Sequence, residues 1–284
     1  MPPRRSVPVP VETVRMALGA RYDVAEQVGR GAMAGVFQAV DREGDAAVAI
    51  KVLRPEFAIA VGAERFRQEI AILSALAHPN LLSILDSGKT GGILYYTMPY
   101  LSGGTLAERL AQEMRLPIDE ALGVAVDVAA ALDYAHGRNV VHRDIKPENI
   151  MFDANGRALV CDFGVARAIE RSGGDRISSS GLVVGTPAYM SPEQASGAVE
   201  LDGRSDIYSL ACVVFEMLVG EPPFMGRTAQ VVMARHVNER PPSVRVVRAE
   251  VSNGLDAALM AALAKDPTRR PPSGAAFVQA LSRP

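Results

Sequence analysis

The chain changes character at Ser102-Gly103-Gly104, and that change limits the folds open to it. Before it, from Arg21 to about Tyr100, short strand-like runs surround one helical stretch. Residues 46–52 (AAVAIKV) read as a strand, and residues 63–77 carry Phe66, Ile70 and Leu73 at helical spacing on one face. His78-Pro79-Asn80 stops that helix, because proline restricts the residue before it. After the glycines, a plausible hinge between halves, the sequence turns helical and alanine-rich: 106–113, 118–136, 206–219, 228–237 and 255–264. Pro222-Pro223, Pro241-Pro242 and Pro271-Pro272 punctuate it. The expectation is an α+β chain: an N-terminal arm at 1–20, a small β-rich lobe with one main helix at 21–101, and a larger, mostly helical lobe at 102–284.

Size permits this. A chain of 284 residues buries roughly 70–75% of its unfolded surface and approaches the length at which one core divides into two. With 48% hydrophobic and 22% charged residues the balance is that of a globular protein. A net charge of −2 supplies no field for nucleic acid or an anionic membrane, so neither is expected as a partner. The two cysteines, Cys161 and Cys212, do not cluster as a zinc site or a disulfide framework would, which fits a reducing, cytoplasmic location. The apolar run near Cys212 is broken by Glu216, so no membrane span is expected. The opening MPPRRSVPVP lacks the apolar core of a secretory signal and reads as a loosely attached arm.

Several segments carry chemistry. In Val28–Val36 (VGRGAMAGV), Gly29 and Gly31 remove side chains where a hairpin could close over phosphates with its N–H groups; alone, such a run is more often merely a turn. Lys51 ends an apolar VAIK run, where burial is costly unless an anion meets it, although a lysine can also snorkel to the surface. Glu69, on the following helix, is a candidate partner. Further on stand VHRDIKPENI at 141–150, VCDFG at 160–164, TPAYMSPE at 186–193, RSDIYSL around Asp206 and KDPTRRP around Arg270.

In this order, these segments resemble the protein kinase family from about Tyr22 to Leu281, and their wording is similar to the eukaryotic-type serine/threonine group of bacteria. The resemblance implies the bilobal kinase fold over 21–284 and a non-specific serine/threonine protein kinase using ATP and Mg2+, with Mn2+ as an alternative. Lys51 would contact the α- and β-phosphates, held by Glu69. Asp162 and Asn149 would bind the metal ions. Asp144 would accept or orient the acceptor hydroxyl proton, and Lys146 would neutralise charge on the transferring group; lysine there, with Thr186 in the substrate loop, points to serine or threonine acceptors. Adenine would lie between the lobes against Val36, Ala49, Met98 and Met151, with backbone groups of Pro99 and Leu101 at its edge. The nucleotide set thus comprises Val28, Gly29, Gly31, Val36, Ala49, Lys51, Met98, Pro99, Leu101 and Met151.

Three departures from the family pattern stand out: Ala34 replaces the third glycine of the loop, Pro99 sits where many kinases have glutamate, and Ser191 stands where APE would have alanine. Arg143, directly before Asp144, marks kinases whose activation loop is ordered by phosphorylation, with Ser178 and Ser180 as leading sites ahead of Ser172 and Ser179. Glu193 would pair with Arg270 in bracing the larger lobe. His142 and Phe163 read as packing residues, His78 and His136 as structural, and His236 as uninformative. The implied partners are protein substrates and a second copy of the kinase for trans-autophosphorylation. The implied location is the cytoplasm, either free or as the cytoplasmic part of a membrane-anchored protein. A nucleotide-holding pseudokinase and a small-molecule phosphotransferase are the competing readings.

Overall fold

The computed structural model describes residues 9–31, 33–163 and 187–283, less the side chain of Ala60. The expected sites Ser172, Ser178, Ser179, Ser180 and Thr186, with Gly164, lie outside them. The described chain divides into two compact units, one of residues up to 77 plus 82–100, the other of 78–81, 101–163 and 187–283.

The first unit holds helix α1 (Val11–Leu18), strands β1 (Tyr22–Arg30), β2 (Ala34–Asp41) and β3 (Ala46–Leu53), helices α2 (Pro55–Val61) and α3 (Ala63–Ser74), and strands β4 (Asp86–Thr90) and β5 (Ile93–Pro99). The strands form one antiparallel sheet in the order β1-β2-β3-β5-β4. Directly paired residues share a face, so the register sorts the side chains. Val36 pairs with Lys51, Lys51 with Tyr96 and Ala49 with Met98, which puts all five on one face. Phe37, Ala39, Val48, Ile50, Val52 and Tyr95 face the other way and form a buried core with Val9, Val14 and Leu18.

That core corrects part of the N-terminal expectation. Val14 and Leu18, one helical turn apart, are buried against the sheet, and Arg15 Nε donates to the Val24 carbonyl at 2.9 Å. Residues 11–18 are therefore a packed helix rather than a loose arm. The apolar side chains decide it, each worth roughly 1.5–3 kcal/mol when buried. Helix α3 buries Phe66, Ile70 and Leu73 as its spacing predicts, but ends at Ser74 rather than 77. There the chain tightens, with the Leu76 N–H on the Leu73 carbonyl at 3.1 Å, and Leu76 turns inward. Helix α2, which periodicity did not signal, begins on Pro55, whose missing N–H costs nothing at a first helical position.

The second unit holds helices α4 (Leu106–Glu113) and α5 (Ile118–His136), strands β6 (Ile150–Phe152) and β7 (Ala158–Val160), then α6 (Pro192–Ala195), α7 (Gly203–Val219), α8 (Ala229–Asn238), α9 (Asn253–Ala262) and α10 (Gly274–Leu281). Helix α7 is apolar and buried nearly all round, as a central helix must be, and α5 packs against both α7 and α10. It starts three residues before the expected Asp206, because the Asp202 carboxylate accepts the Arg204 N–H at 2.8 Å and caps it. Helix α10 was not anticipated; Asp133 on α5 accepts the Gly274 and Ala275 N–H groups at 2.6 and 2.8 Å, satisfying its first turn from a distant helix. Gly103 is needed where it stands, since a Cβ there would lie 2.4 Å from the Phe152 carbonyl oxygen. Among the described residues no helix is long and apolar enough to cross a membrane.

Candidate active site

In the first unit the glycine-rich run is the hairpin between β1 and β2. Gly29 pairs with Val36 and Arg30 with Gly35, and the Gly31 N–H closes on the Ala34 carbonyl at 2.9 Å. A Cβ on Gly35 would come within 2.9 Å of Gln27 Nε2 and 3.1 Å of the Phe37 ring, so a larger residue here would have to displace both side chains. Ala34 is buried and pairs with Leu53 on β3, which gives its methyl group a place in the sheet. Arg54 donates to the Gly31 carbonyl at 2.7 Å and braces the turn. Lys51 is half-buried in the middle strand, with Nζ 5.9 Å from the centre of the Tyr96 ring. Glu69 is half-buried on α3. Ala49 and Met98 are buried, Val36 and Pro99 half-buried, and Val28 exposed. Past Pro99, the Tyr100 N–H donates to the Ala47 carbonyl at 3.1 Å, so the ladder continues beyond the missing proline donor.

In the second unit the β6–β7 hairpin draws the two polar motifs together. Ile150 pairs with Val160, so the residues on either side of it, Asn149 and Cys161, become neighbours, and the Cys161 N–H donates to the Asn149 carbonyl at 3.0 Å. Asn149 is buried; its Nδ2 donates to the Asp144 carbonyl at 2.8 Å and to Asp144 Oδ2 at 3.1 Å. Lys146 Nζ lies 2.8 Å from the same Oδ2. Burial would lower the Lys146 pKa, but Asp144, helped by Glu148 and Asp162, outweighs it and keeps the ammonium charged. Asp144, Lys146, Asn149 and Asp162 thus share one neighbourhood. Leu101 and Met151 belong to this unit too, both half-buried, with Met151 bridged to Thr105.

Two residues here hold a left-handed backbone that non-glycine residues rarely adopt: Arg143 at φ 73° and Asp162 at φ 65°. Such conformations cost on the order of 1–3 kcal/mol each and persist only when neighbours over-determine them. Around Arg143 the neighbours are plain. Asp206, fully buried on α7, accepts the His142 and Arg143 N–H groups at 2.8 and 2.7 Å and bonds His136 Nε2 at 2.8 Å. Gln194 Nε2 donates to the Arg143 carbonyl at 2.8 Å. Around Asp162, His142 Nε2 holds the preceding Cys161 carbonyl at 2.9 Å and its ring stands edge-on to Phe163, 4.4 Å between centres. Burial pushes the Asp206 carboxyl up, yet His136 and the backbone donors outweigh that and hold it below the ordinary range. His136 is raised in turn: burial opposes its charge, and Asp206 prevails.

A second brace lies after the undescribed stretch. Arg270, fully buried, pairs through both terminal nitrogens with the Glu193 carboxylate at 2.7 Å and spends its remaining donors on the carbonyls of Arg204, Ala264 and Lys265. All five N–H groups are satisfied, the condition under which a buried ion pair is tolerated. Ser191 caps α6 through a reciprocal pair with Gln194: its Oγ accepts the Gln194 N–H at 3.3 Å, and Gln194 Oε1 accepts the Ser191 N–H at 2.9 Å. Gln194 therefore joins this segment to the loop that carries Arg143 and Asp144, a link sequence reading missed. Its signal was the capping-box spacing of Ser191 and Gln194.

The sequence matches the protein kinase domain model over residues 22–282. The chain belongs to the protein kinase domain family, and its sheet unit and helical unit are those of the bilobal kinase fold. It is similar to serine/threonine kinases of bacteria: 39% identical over 258 residues to the probable serine/threonine-protein kinase SCO3848 of Streptomyces coelicolor (89% of this chain, 38% of the relative). It is 40% identical over 265 residues to serine/threonine-protein kinase PknB of Mycobacterium tuberculosis (89% and 41%), and 35% over 254 residues to the probable kinase CPE1738 of Clostridium perfringens (89% and 36%). The chain spans 36–41% of the length of these relatives.

Proposed function

We propose that this chain is the catalytic part of a serine/threonine protein kinase that transfers the γ-phosphoryl group of ATP to protein hydroxyls. The supporting observation is the arrangement of Lys146 and Asn149 around a single oxygen of Asp144, on a loop held in a strained conformation by buried groups. Asp144 is left half-exposed to take the acceptor hydroxyl and orient its proton. Lys146, kept charged, would neutralise the negative charge that grows on the transferring oxygens.

The family uses ATP with a divalent metal ion, and the oxygen donors here fit such an ion. With its nitrogen spent on Asp144, Asn149 has its amide oxygen left, and the Asp162 carboxylate lies in the same neighbourhood. Magnesium, with manganese as an alternative, would neutralise phosphate charge when bound. No group of three or more His, Cys, Asp or Glu able to hold a metal occurs among the described residues, so phosphate oxygens would complete the shell. From the first unit, the Gly29–Gly31 turn would meet phosphates and Lys51, held by Glu69, the α- and β-phosphates. Val36, Ala49, Met98 and Pro99, with Leu101 and Met151 from the second, would meet adenine, and Val28 would belong to the wider nucleotide set. Thr186 would define the acceptor side. Ser178 and Ser180 would be the regulatory phosphosites, modified by a second copy of the chain, in a cytoplasmic setting.

Presence of Lys51, Glu69, Asp144, Asn149 and Asp162 together argues against a nucleotide-holding pseudokinase. Labelled ATP with Mg2+ tests the assignment. Wild type should label protein, and Lys51→Met should lower transfer by roughly 10²–10⁴-fold with the fold intact. Near-wild-type transfer by the variant would remove Lys51 from the site; label found only on a small metabolite would favour a small-molecule phosphotransferase.

A further inference from the structure

Strand β1 carries two extra residues between the buried Val24 and Gly29. Val24 pairs with Ala39 and Gly29 with Val36, so β1 takes five steps where β2 takes three, and the register shifts on either side of Gln27. Such bulges bend a strand and interrupt its ladder, here just before the turn that carries Gly29 and Gly31. Ala25 and Glu26, which make the first bulge, are exposed, so burial of their side chains does not hold them.

Arg15 on α1 supplies the hold. Its Nε donates to the Val24 carbonyl at 2.9 Å and its Nη2 to the Ala25 carbonyl. A planar guanidinium spanning two successive carbonyls fixes their direction, which a single ammonium would not. The helix beneath it cannot slide. Val14 and Leu18 are buried against the sheet, and at the opposite edge the Ala17 carbonyl stands 3.5 Å from Thr90 Oγ1 on β4. A Cβ on Gly91 would lie 2.8 Å from that of Ala17, so the β4–β5 turn meets the helix with no side chain between them. Beyond the bulge, the half-buried Gln27 gives Nε2 to the Gly29 carbonyl at 3.1 Å and accepts Arg30 Nε on its Oε1 at 3.0 Å. One connected path thus runs from α1, through the carbonyls of Val24 and Ala25, to the glycine turn.

We propose that Arg15 is a positioning residue for the ATP phosphates: it fixes the β1 bulge and thereby the Gly29–Gly31 turn that closes over them. This rests on the kinase reading, which assigns that turn to the phosphates. Arg15 lies outside the residues assigned to the nucleotide, and adenine is assigned to others, so its contribution falls on phosphate binding alone.

Calorimetric titration of the full chain with a non-hydrolysable ATP analogue and Mg2+, and separately with adenosine, tests this. Arg15→Ala should weaken analogue binding about five-fold and leave adenosine within about two-fold of wild type. Arg15→Lys, which keeps a charged donor for one carbonyl, should weaken the analogue only about two-fold. Met16→Ala, at an 82% exposed position of the same helix, should change neither ligand. Equal weakening of analogue and adenosine by Arg15→Ala, or no change in either, would overturn the proposal. Amide hydrogen exchange reads the same link without nucleotide. In Arg15→Ala the N–H groups of Gly29 and Gly31 should exchange at least about three-fold faster, and those of β5 at the wild-type rate. Unchanged exchange at 29–31 rejects the proposal as well. Should Arg15→Ala fail to fold, Arg15→Lys carries both measurements, with smaller changes of the same sign. A wild-type chain that binds no ATP analogue would instead mark failure of the kinase reading, with amide exchange still deciding whether Arg15 holds the turn.

Discussion

Lys51 stands on a strand whose place is set by backbone ladders on both sides, whereas Asp144 stands on a loop whose backbone is set by the side chains of Asp206, Gln194 and Asn149. In the sheet unit, alternating apolar side chains and α1 bury one face, and the register alone lines up Val36, Ala49, Lys51 and Met98 on the other. In the helical unit, buried carboxylates take the place of a ladder. Position in the first unit is thus spread over many weak contacts, and in the second it is concentrated in a few polar groups that cannot be spared.

That contrast can be broken most forcefully at Arg270. Arg270→Ala leaves the Glu193 carboxylate without its partner and should cost about 3–5 kcal/mol in urea unfolding. A loss under about 1 kcal/mol would show that the brace is dispensable. Asp206→Asn keeps one acceptor oxygen but gives up the charge shared by two backbone donors and His136. It should cost about 1.5–3 kcal/mol and lower kcat, because the strained Arg143 backbone loses its tether. An unchanged kcat would mean that the strain has no part in positioning Asp144.

pH sharpens the same comparison. Glu193 and Asp206 are both held below their ordinary values, 4.5 and 3.8, so their stabilisation is present above those values and lost as pH falls through the lowered ones. His136 is held above its ordinary 6.5, so the charged pair with Asp206 is fully present below 6.5 and fades as pH rises through the raised value. Thermal melts against pH should show both edges, and His136→Gln should flatten the alkaline one and weaken the Asp206 share of the acid one, leaving the Glu193 share in place. The smallest effect belongs to the sheet. Ala34→Gly should destabilise by only about 0.5–1 kcal/mol, since a backbone ladder and not one side chain fixes the hairpin.

Much of this was legible in the sequence where one residue speaks for itself. The change of pattern at Ser102–Gly104, the helices Leu106–Glu113 and Ile118–His136, and the 46–52 strand follow from periodicity and breakers. The family was legible because its segments occur together and in order. What was hidden depends on partners distant in sequence. Helix α10 shares the satisfaction of its first turn between its own Ser273 cap and the distant Asp133, α1 owes its place to the far face of the sheet, and Gln194 acts on Arg143 across many intervening residues.

The most direct test of the phosphoryl-transfer assignment is phosphosite mapping after incubation with ATP and Mg2+, comparing wild type with Asp144→Asn. The account predicts phosphoserine or phosphothreonine on the wild-type chain, centred on residues 172–180, and a loss of roughly 10²–10⁴-fold in the variant while its thermal melt is retained. Equal phosphorylation of both chains would contradict it.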